Sequence, residues 1–139
     1  MSLRFLLTDD DVDDRELFME ALNDVGTDII CDPVSDAPDM MARLETSGYK
    51  KPDLILLDIN LPEMSGWEYL KLLKSSKTLR DIPVLMYSTS SHERDRQIAK
   101  DLGAVGLITK PSDFTELKNI LFKIVKAVRE NKYEVIGDL

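Results

Sequence analysis

Five short aliphatic runs, held apart by longer amphipathic stretches, constrain this chain more than any other feature. They fall at Leu3–Leu7, Ile29–Val34, Leu54–Leu57, Val84–Tyr87 and Val105–Ile108. Each is mostly aliphatic and continuous rather than alternating, the pattern of a strand buried on both faces of a parallel sheet. Between them, Phe18, Ala21, Leu22 and Val25 keep the i, i+3, i+4, i+7 spacing of one helix face. Leu117, Ile120, Leu121, Ile124, Val125 and Val128 carry the same spacing further. Ser65 with Glu68, and Asp113 with Glu116, have capping-box spacing. Gly26, Gly48 and Gly103 follow helical runs, where a residue of positive φ is wanted. The sequence therefore predicts five β-α units, with strands near 3–8, 29–34, 53–57, 83–87 and 105–109. Strict alternation implies an α/β fold, a doubly wound parallel sheet with right-handed crossovers. The 139 residues suit one domain, 1–130, with a short tail at 131–139 and no output domain.

Composition removes several classes of function. With 18 basic against 26 acidic residues the net charge is −8, and a phosphate backbone would repel such a chain. No nucleic-acid partner is expected, and no helix-turn-helix has room. Lys71, Lys74, Lys77 and Arg80 read as a solvated face. The single cysteine, Cys31, excludes a disulfide framework and a cysteine-based zinc site. No stretch approaches the roughly 18 apolar residues of a membrane span, and the first residues lack a signal-peptide layout. A cytoplasmic protein without a membrane partner is the expectation.

In an open parallel sheet, ligands bind beyond the carboxyl ends of the strands. Asp9-Asp10-Asp11 follows the first strand, Asp58 the third, Ser88 and Thr89 the fourth, and Lys110-Pro111 the fifth. Ser35-Asp36 after the second reads as a helix cap. Three carboxylates, a hydroxyl and an ammonium thus converge on one edge of the sheet. Carboxylates so placed repel one another and invite a hard divalent cation such as Mg²⁺ or Mn²⁺. A carboxylate can also attack phosphorus and form an acyl phosphate. The hydroxyl and ammonium would then bind oxygens of the transferred group. The edge has the parts for phosphorylation of an aspartate.

Thr8-Asp9-Asp10, Asp58-Ile-Asn60-Leu-Pro62-Glu-Met-Ser-Gly66, Pro83-Val-Leu-Met-Tyr-Ser88 and Gly103-Ala104 with Lys110-Pro111 resemble the receiver domain of bacterial two-component response regulators. The resemblance covers residues 3 to 130, with four motifs in order on the expected strands. The Asn-Leu-Pro turn and the Ser-Thr-Ser-Ser segment are most similar to small stand-alone regulators, including those paired with phytochrome-type sensor kinases. It implies a flavodoxin-like strand order 2-1-3-4-5 with helices on both faces. It implies that Asp58 accepts a phosphoryl group from a sensor histidine kinase, slowly hydrolysed afterwards, so that the protein is a phosphoacceptor rather than an enzyme. The resemblance further implies that Mg²⁺ is held by Asp9, Asp10, Asp58 and the backbone carbonyl of Asn60. On the same resemblance, Ser88 hydroxyl and Thr89 N–H are expected to bind phosphoryl oxygens, and Lys110 to pair with the phosphoryl group across a cis Lys110–Pro111 bond. By the same resemblance, Asn60 and Ser90 occupy positions that tune hydrolysis. The resemblance implies output through protein contacts of helix 4, strand 5 and helix 5, to a downstream target, a histidine phosphotransfer protein or a second copy as homodimer. Leu107 stands where the family often has a switching aromatic, and Ser88 where threonine is commoner.

Plainer readings stand beside these. Asp11, Asp13 and Asp14 read as cap and solvated face, favourable at a helix N-terminus. Ser90 or Ser91 is expected to cap the helix after strand 4. His92, the only histidine, sits among charged neighbours on a solvated face. Cys31 and the methionines read as packing. A phosphatase of the haloacid-dehalogenase type also uses an aspartate nucleophile, but it wants an acid where Asn60 stands. A flavin site lacks a phosphate loop after strand 1. A phosphorylation-independent pseudo-receiver, a pure binding module, is the alternative that Leu107 keeps open.

Overall fold

The structure, a computed structural model, describes residues 2–62 and 64–139. Met1 and Glu63, the latter inside the Asp58–Gly66 motif, lie outside the described residues. Five strands alternate with five helices: β1 (Leu3–Thr8), α1 (Val12–Val25), β2 (Ile29–Val34), α2 (Ala37–Glu45), β3 (Leu54–Leu57), α3 (Gly66–Ser75), β4 (Val84–Ser88), α4 (Glu93–Asp101), β5 (Gly106–Thr109) and α5 (Phe114–Arg129). All pairings are parallel, in the order β2-β1-β3-β4-β5. This is the flavodoxin-like arrangement the sequence implies.

Successive strand residues face opposite sides of the sheet, and the strand residues divide accordingly between two cores. Leu6, Ile55, Leu57, Val84, Met86 and Leu107 pack with Met40 of α2, Leu70 and Leu73 of α3 and Ala99 of α4. Phe5, Leu7, Leu54, Leu56, Leu85 and Ile108 pack with Phe18 of α1 and Leu117, Leu121 and Ile124 of α5. β3 is buried at every position, as its unbroken Leu-Ile-Leu-Leu run requires. β2 departs from the both-faces-buried expectation: only Val34 is buried, and Ile30 is 39% exposed. The reason is position, since β2 is an edge strand. An edge also tolerates Pro33, which has no N–H for the ladder, and Asp32, whose carboxylate accepts the Tyr49 hydroxyl at 2.8 Å.

Three punctuation marks differ from expectation. Gly48 and Gly103 do take positive φ (86° and 95°), but Gly26 is extended at −175° and leads the chain straight towards β2. Ser65 stands at the N-cap of α3 without a side-chain bond; its carbonyl instead accepts the Glu68 N–H at 3.1 Å, while the Glu68 carboxylate turns to Lys71. The N-cap of α4 is His92, again without a side-chain bond, rather than Ser90 or Ser91. Ser90 is occupied elsewhere: its hydroxyl donates to the Asp95 carboxylate. Asp113 caps α5 as expected, accepting the Thr115 N–H at 3.0 Å.

The tail folds against the body. A 3-10 helix at Tyr133–Asp138 buries Ile136 completely in the α1/α5-side core. The Tyr133 hydroxyl donates to the carbonyl of Asp53, just before β3, at 3.1 Å. The tail thus closes the end of the sheet opposite the carboxyl ends of the strands. Among the described residues, no helix is long and apolar enough to cross a membrane.

Candidate functional site

Parallel pairing brings the carboxyl ends of β1, β3, β4 and β5 to one edge, and each delivers a polar group there. Asp9 directly follows β1; its N–H donates to Val34 of β2 at 3.1 Å. Asp58 directly follows β3, with its N–H bonded to the Thr8 carbonyl at 3.0 Å. Lys110 follows β5 and is tied to β4 by a 2.6 Å bond from its N–H to the Ser88 carbonyl. Three separate backbone ladders therefore fix the site. The buried polar groups of the described residues are Thr8, Asp9, Asp58 and Ser88, all at this edge.

The loop after β3 is built to present Asp58. The Asn60 N–H donates to Asp58 Oδ1 at 3.0 Å, an Asx-type turn that orients the carboxylate. Gly66 N–H closes the loop on the Ile59 carbonyl at 2.8 Å. A Cβ at residue 66 would lie 2.1 Å from the Asp58 carbonyl oxygen, so only glycine fits where α3 starts.

Lys110 is the electrostatic centre. Its Nζ lies 2.8 Å from Asp9 Oδ2, 2.9 Å from Asp14 Oδ2 and 2.9 Å from Asp58 Oδ2. The bonds to Asp14 and Asp58 have proper donor geometry. The Tyr87 ring lies beneath the ammonium, 5.5 Å to its centroid, and meets Phe18 edge-on. Burial alone would lower the Lys110 pKa, but the adjacent carboxylates of Asp9, Asp14 and Asp58 overcome it and raise the value. Burial raises the Asp9 carboxyl, and the Lys110 contact does not fully offset it. Burial likewise raises the Tyr87 phenol.

Asp9, Asp10 and Asp58 each offer a carboxylate oxygen, and those oxygens all lie within 4.8 Å of one another. Asp9 Oδ2 is fully buried without a well-aligned hydrogen-bond donor, whereas Asp9 Oδ1 accepts the Asp11 N–H at 3.0 Å. A dehydrated, under-satisfied carboxylate oxygen beside two others fits a hard divalent cation. Mg²⁺ and Mn²⁺ suit this donor set.

The remaining expected residues are also at this edge. Ser88 is fully buried at the end of β4, and its Oγ accepts the Ser90 N–H at a long 3.4 Å. Thr89 and Asn60 are exposed beside it. The Lys110–Pro111 bond differs from expectation: no peptide bond among the described residues is cis. The flexible four-carbon stem of lysine carries the ammonium to the carboxylates across a trans bond. Leu107 points into the α2/α3/α4-side core at 2% exposure. Beside it, Arg96 of α4 donates to the Leu107 carbonyl at 2.9 Å and to the Thr109 hydroxyl at 3.4 Å.

Two participants were not legible as such. Asp14, read from the sequence as a solvated helix start, is a direct partner of Lys110. Arg15 donates to the backbone carbonyl of Asp9 at 2.7 Å. The signal for both was topological: α1 starts at the same edge, so its first turn must border the site. Asp11 is the N-cap of α1, as expected.

Comparison with known proteins places these features in context. A family model for the response regulator receiver domain matches residues 5–122. The chain is 38% identical over 141 aligned residues to the phosphate regulon transcriptional regulatory protein PhoB of Klebsiella pneumoniae, covering 99% of this chain and 59% of that protein. It is 34% identical over 111 residues to the alkaline phosphatase synthesis transcriptional regulatory protein PhoP of Bacillus subtilis, covering 80% of this chain and 43% of that protein. The chain thus spans about half the length of these curated relatives. Among solved structures, the phosphorylated cyanobacterial phytochrome response regulator RcpA superposes with a TM-score of 0.84 at 34% identity, covering 94% of this chain and 96% of that one. The Mn²⁺-bound form of response regulator Rcp1 gives 0.76 at 32% identity, covering 88% and 91%.

Proposed function

Because the chain belongs to the response regulator receiver domain family, whose model matches residues 5–122, we propose that it accepts a phosphoryl group on Asp58 from a sensor histidine kinase and signals through phosphorylation-dependent protein contacts. The observation that carries this reading is the Lys110 ammonium at 2.9 Å from the Asp58 carboxylate, with Asp9 and Asp10 alongside. Similarity to the phytochrome response regulator RcpA supports a phytochrome-type kinase as the donor.

In the transfer, an Asp58 carboxylate oxygen attacks the phosphorus of the kinase phosphohistidine. The P–N bond breaks, its electron pair leaves with the imidazole, and an acyl phosphate forms. Lys110 pairs with the incoming phosphoryl oxygens, while Ser88 hydroxyl and Thr89 N–H supply further donors at the end of β4. Asp9, Asp10, Asp58 and the Asn60 carbonyl would hold Mg²⁺ or Mn²⁺, which when bound offsets the negative charge of the phosphoryl group. Water later attacks phosphorus, the acyl P–O bond breaks, and the carboxylate and inorganic phosphate are regenerated. The protein is consumed and restored as a signal carrier in the cytoplasm, not as an enzyme.

Output is assigned to the face of α4, β5 and α5. Ser88 is tied through its carbonyl to Lys110, and β5 to α4 through Arg96, so a shift of Ser88 towards a phosphoryl group pulls on that face. A downstream protein, a histidine phosphotransfer protein or a second copy would bind there. Leu107 favours one other reading, a pseudo-receiver that binds partners without phosphorylation, since an aliphatic side chain already buried in the core has no inward swing to make.

Intact mass after incubation with Mg²⁺ and acetyl phosphate separates the two readings. One phosphoryl adduct is expected on the wild type, none with EDTA and none on Asp58→Asn. An unmodified wild type under every donor and metal sinks the phosphoacceptor reading in favour of the pseudo-receiver.

A further inference from the structure

The Lys110 ammonium has three donors and faces three carboxylates, yet only one of those carboxylates lies outside the metal-compatible cluster. Asp9 and Asp58 belong to that cluster; Asp14 does not. A divalent cation drawn in by Asp9, Asp10 and Asp58 competes with Lys110 for Asp9 Oδ2 and for Asp58. Asp14 remains as the partner that no cation claims. Building on the phosphoacceptor reading, we infer that Asp14 is a positioning residue: it holds the Lys110 ammonium beside Asp58 whether or not the cation site is filled.

The local sequence explains how Asp14 comes to this role. Asp14 is the third residue of α1, and its own N–H is capped by Asp11 at 3.1 Å. In a capping box the third residue turns its carboxylate back onto the cap's N–H. Here that N–H is already taken, because Asp11 N–H donates to Asp9 Oδ1 at 3.0 Å. The Asp14 carboxylate is thereby released from the helix end and turns to Lys110. The chain Asp9–Asp11–Asp14 fixes the anchor relative to the cation ligand itself. The Lys110 side chain is 9% exposed and lies over the Tyr87 ring, so the ammonium has little water to replace a lost partner.

A bystander carboxylate and a positioning carboxylate predict opposite signs. A bystander at this edge repels an incoming phosphate donor, so its removal speeds phosphorylation. A positioning residue acts through Lys110, so its removal slows phosphorylation and does so only when Lys110 is present. The test compares wild type, Asp14→Asn, Asp14→Glu, Lys110→Ala and the double variant Asp14→Asn/Lys110→Ala. Adduct formation is followed by intact mass with acetyl phosphate at saturating Mg²⁺, over hours for the slow variants. Asp14→Asn is expected to slow the wild-type rate about tenfold and to cause no further slowing in the Lys110→Ala background. Asp14→Glu recovers part of the rate, because the carboxylate is retained.

A second reading needs no phosphorylation. Urea unfolding of wild type, Asp14→Asn, Lys110→Ala and their double variant in EDTA should show a 14–110 coupling of about tenfold in the unfolding constant. A rate for Asp14→Asn at or above wild type, an equal slowing in both backgrounds, or no coupling in EDTA each overturns the assignment. A wild type that takes up no phosphoryl group fails the phosphoacceptor reading instead, and the EDTA cycle alone then decides whether Asp14 holds Lys110.

Discussion

Gly66 shows how little freedom the loop after β3 has. The chain must turn from β3 into α3 within a few residues, and it does so by folding the start of α3 back onto the Asp58 carbonyl. Gly66→Ala would force a Cβ to within 2.1 Å of that oxygen, backbone against backbone, with no flexible side chain to yield. The substitution should cost about 2–3 kcal/mol, in the range of overpacked sites, and slow Asp58 phosphorylation because the same turn orients the acceptor. Urea midpoints and adduct rates check both parts; wild-type values for each would mean that the loop relaxes without strain. Residue identities at this edge were readable from sequence because four of them sit where a strand run stops. Asp9, Asp58, Ser88 and Lys110 needed only the rule that ligands gather at strand carboxyl ends. Asp14 escaped because its role depends on a hydrogen bond made elsewhere: Asp11 N–H going to Asp9 leaves its carboxylate free. Nothing in residue type distinguishes Asp14 from Asp13.

At the scale of elements, the strands were placed within a residue or so of their observed limits, because each coincides with a short, mostly apolar run. Helix ends were less legible. Ser65 and Ser90 are good cap residues by type, yet neither caps with its side chain: the Ser65 carbonyl accepts the Glu68 N–H, and the Ser90 hydroxyl donates to Asp95. The tail shows the same limit more sharply. Tyr133–Asp138 contains one fully buried residue, Ile136, with Tyr133 half-buried against the same core and Val135 exposed, and so short a segment has no periodicity to read. In the structure it is fully buried in the α1/α5-side core, and the Gly106 and Gly137 backbones pack so closely that a Cβ at 106 would lie 2.9 Å from Gly137 Cα. Ile136→Ala should therefore destabilise the protein by about 2–4 kcal/mol, as for a buried aliphatic truncated without collapse. The rate of Asp58 phosphorylation should stay at its wild-type value, because the tail seals the opposite end of the sheet. Urea denaturation reads the first and intact mass the second. A loss below about 0.5 kcal/mol, the size of an ordinary surface change, would mean the tail is not docked in solution.

For the whole molecule, charge decides what folding must tolerate. The chain carries −8, and the functional edge gathers Asp9, Asp10, Asp14 and Asp58 around the single ammonium of Lys110. Folding concentrates this repulsion, since it brings Asp58 from far along the chain to the side of Asp9, Asp10 and Asp14. A divalent cation that binds the folded cluster and not the unfolded chain must then stabilise the protein by mass action, by about 2.7 kcal/mol when its concentration is a hundred times its dissociation constant. Mg²⁺ should raise the urea midpoint well above that measured in NaCl of equal ionic strength, because NaCl only screens. Asp9→Asn removes the buried oxygen that lacks an aligned donor, and it should abolish most of the Mg²⁺ increment while raising the midpoint in EDTA. These two signs belong together: a carboxylate kept for a cation is a cost to the metal-free fold. If NaCl matches Mg²⁺, or if Asp9→Asn keeps the full increment, the carboxylates are a solvated acidic edge and the stabilisation is screening alone.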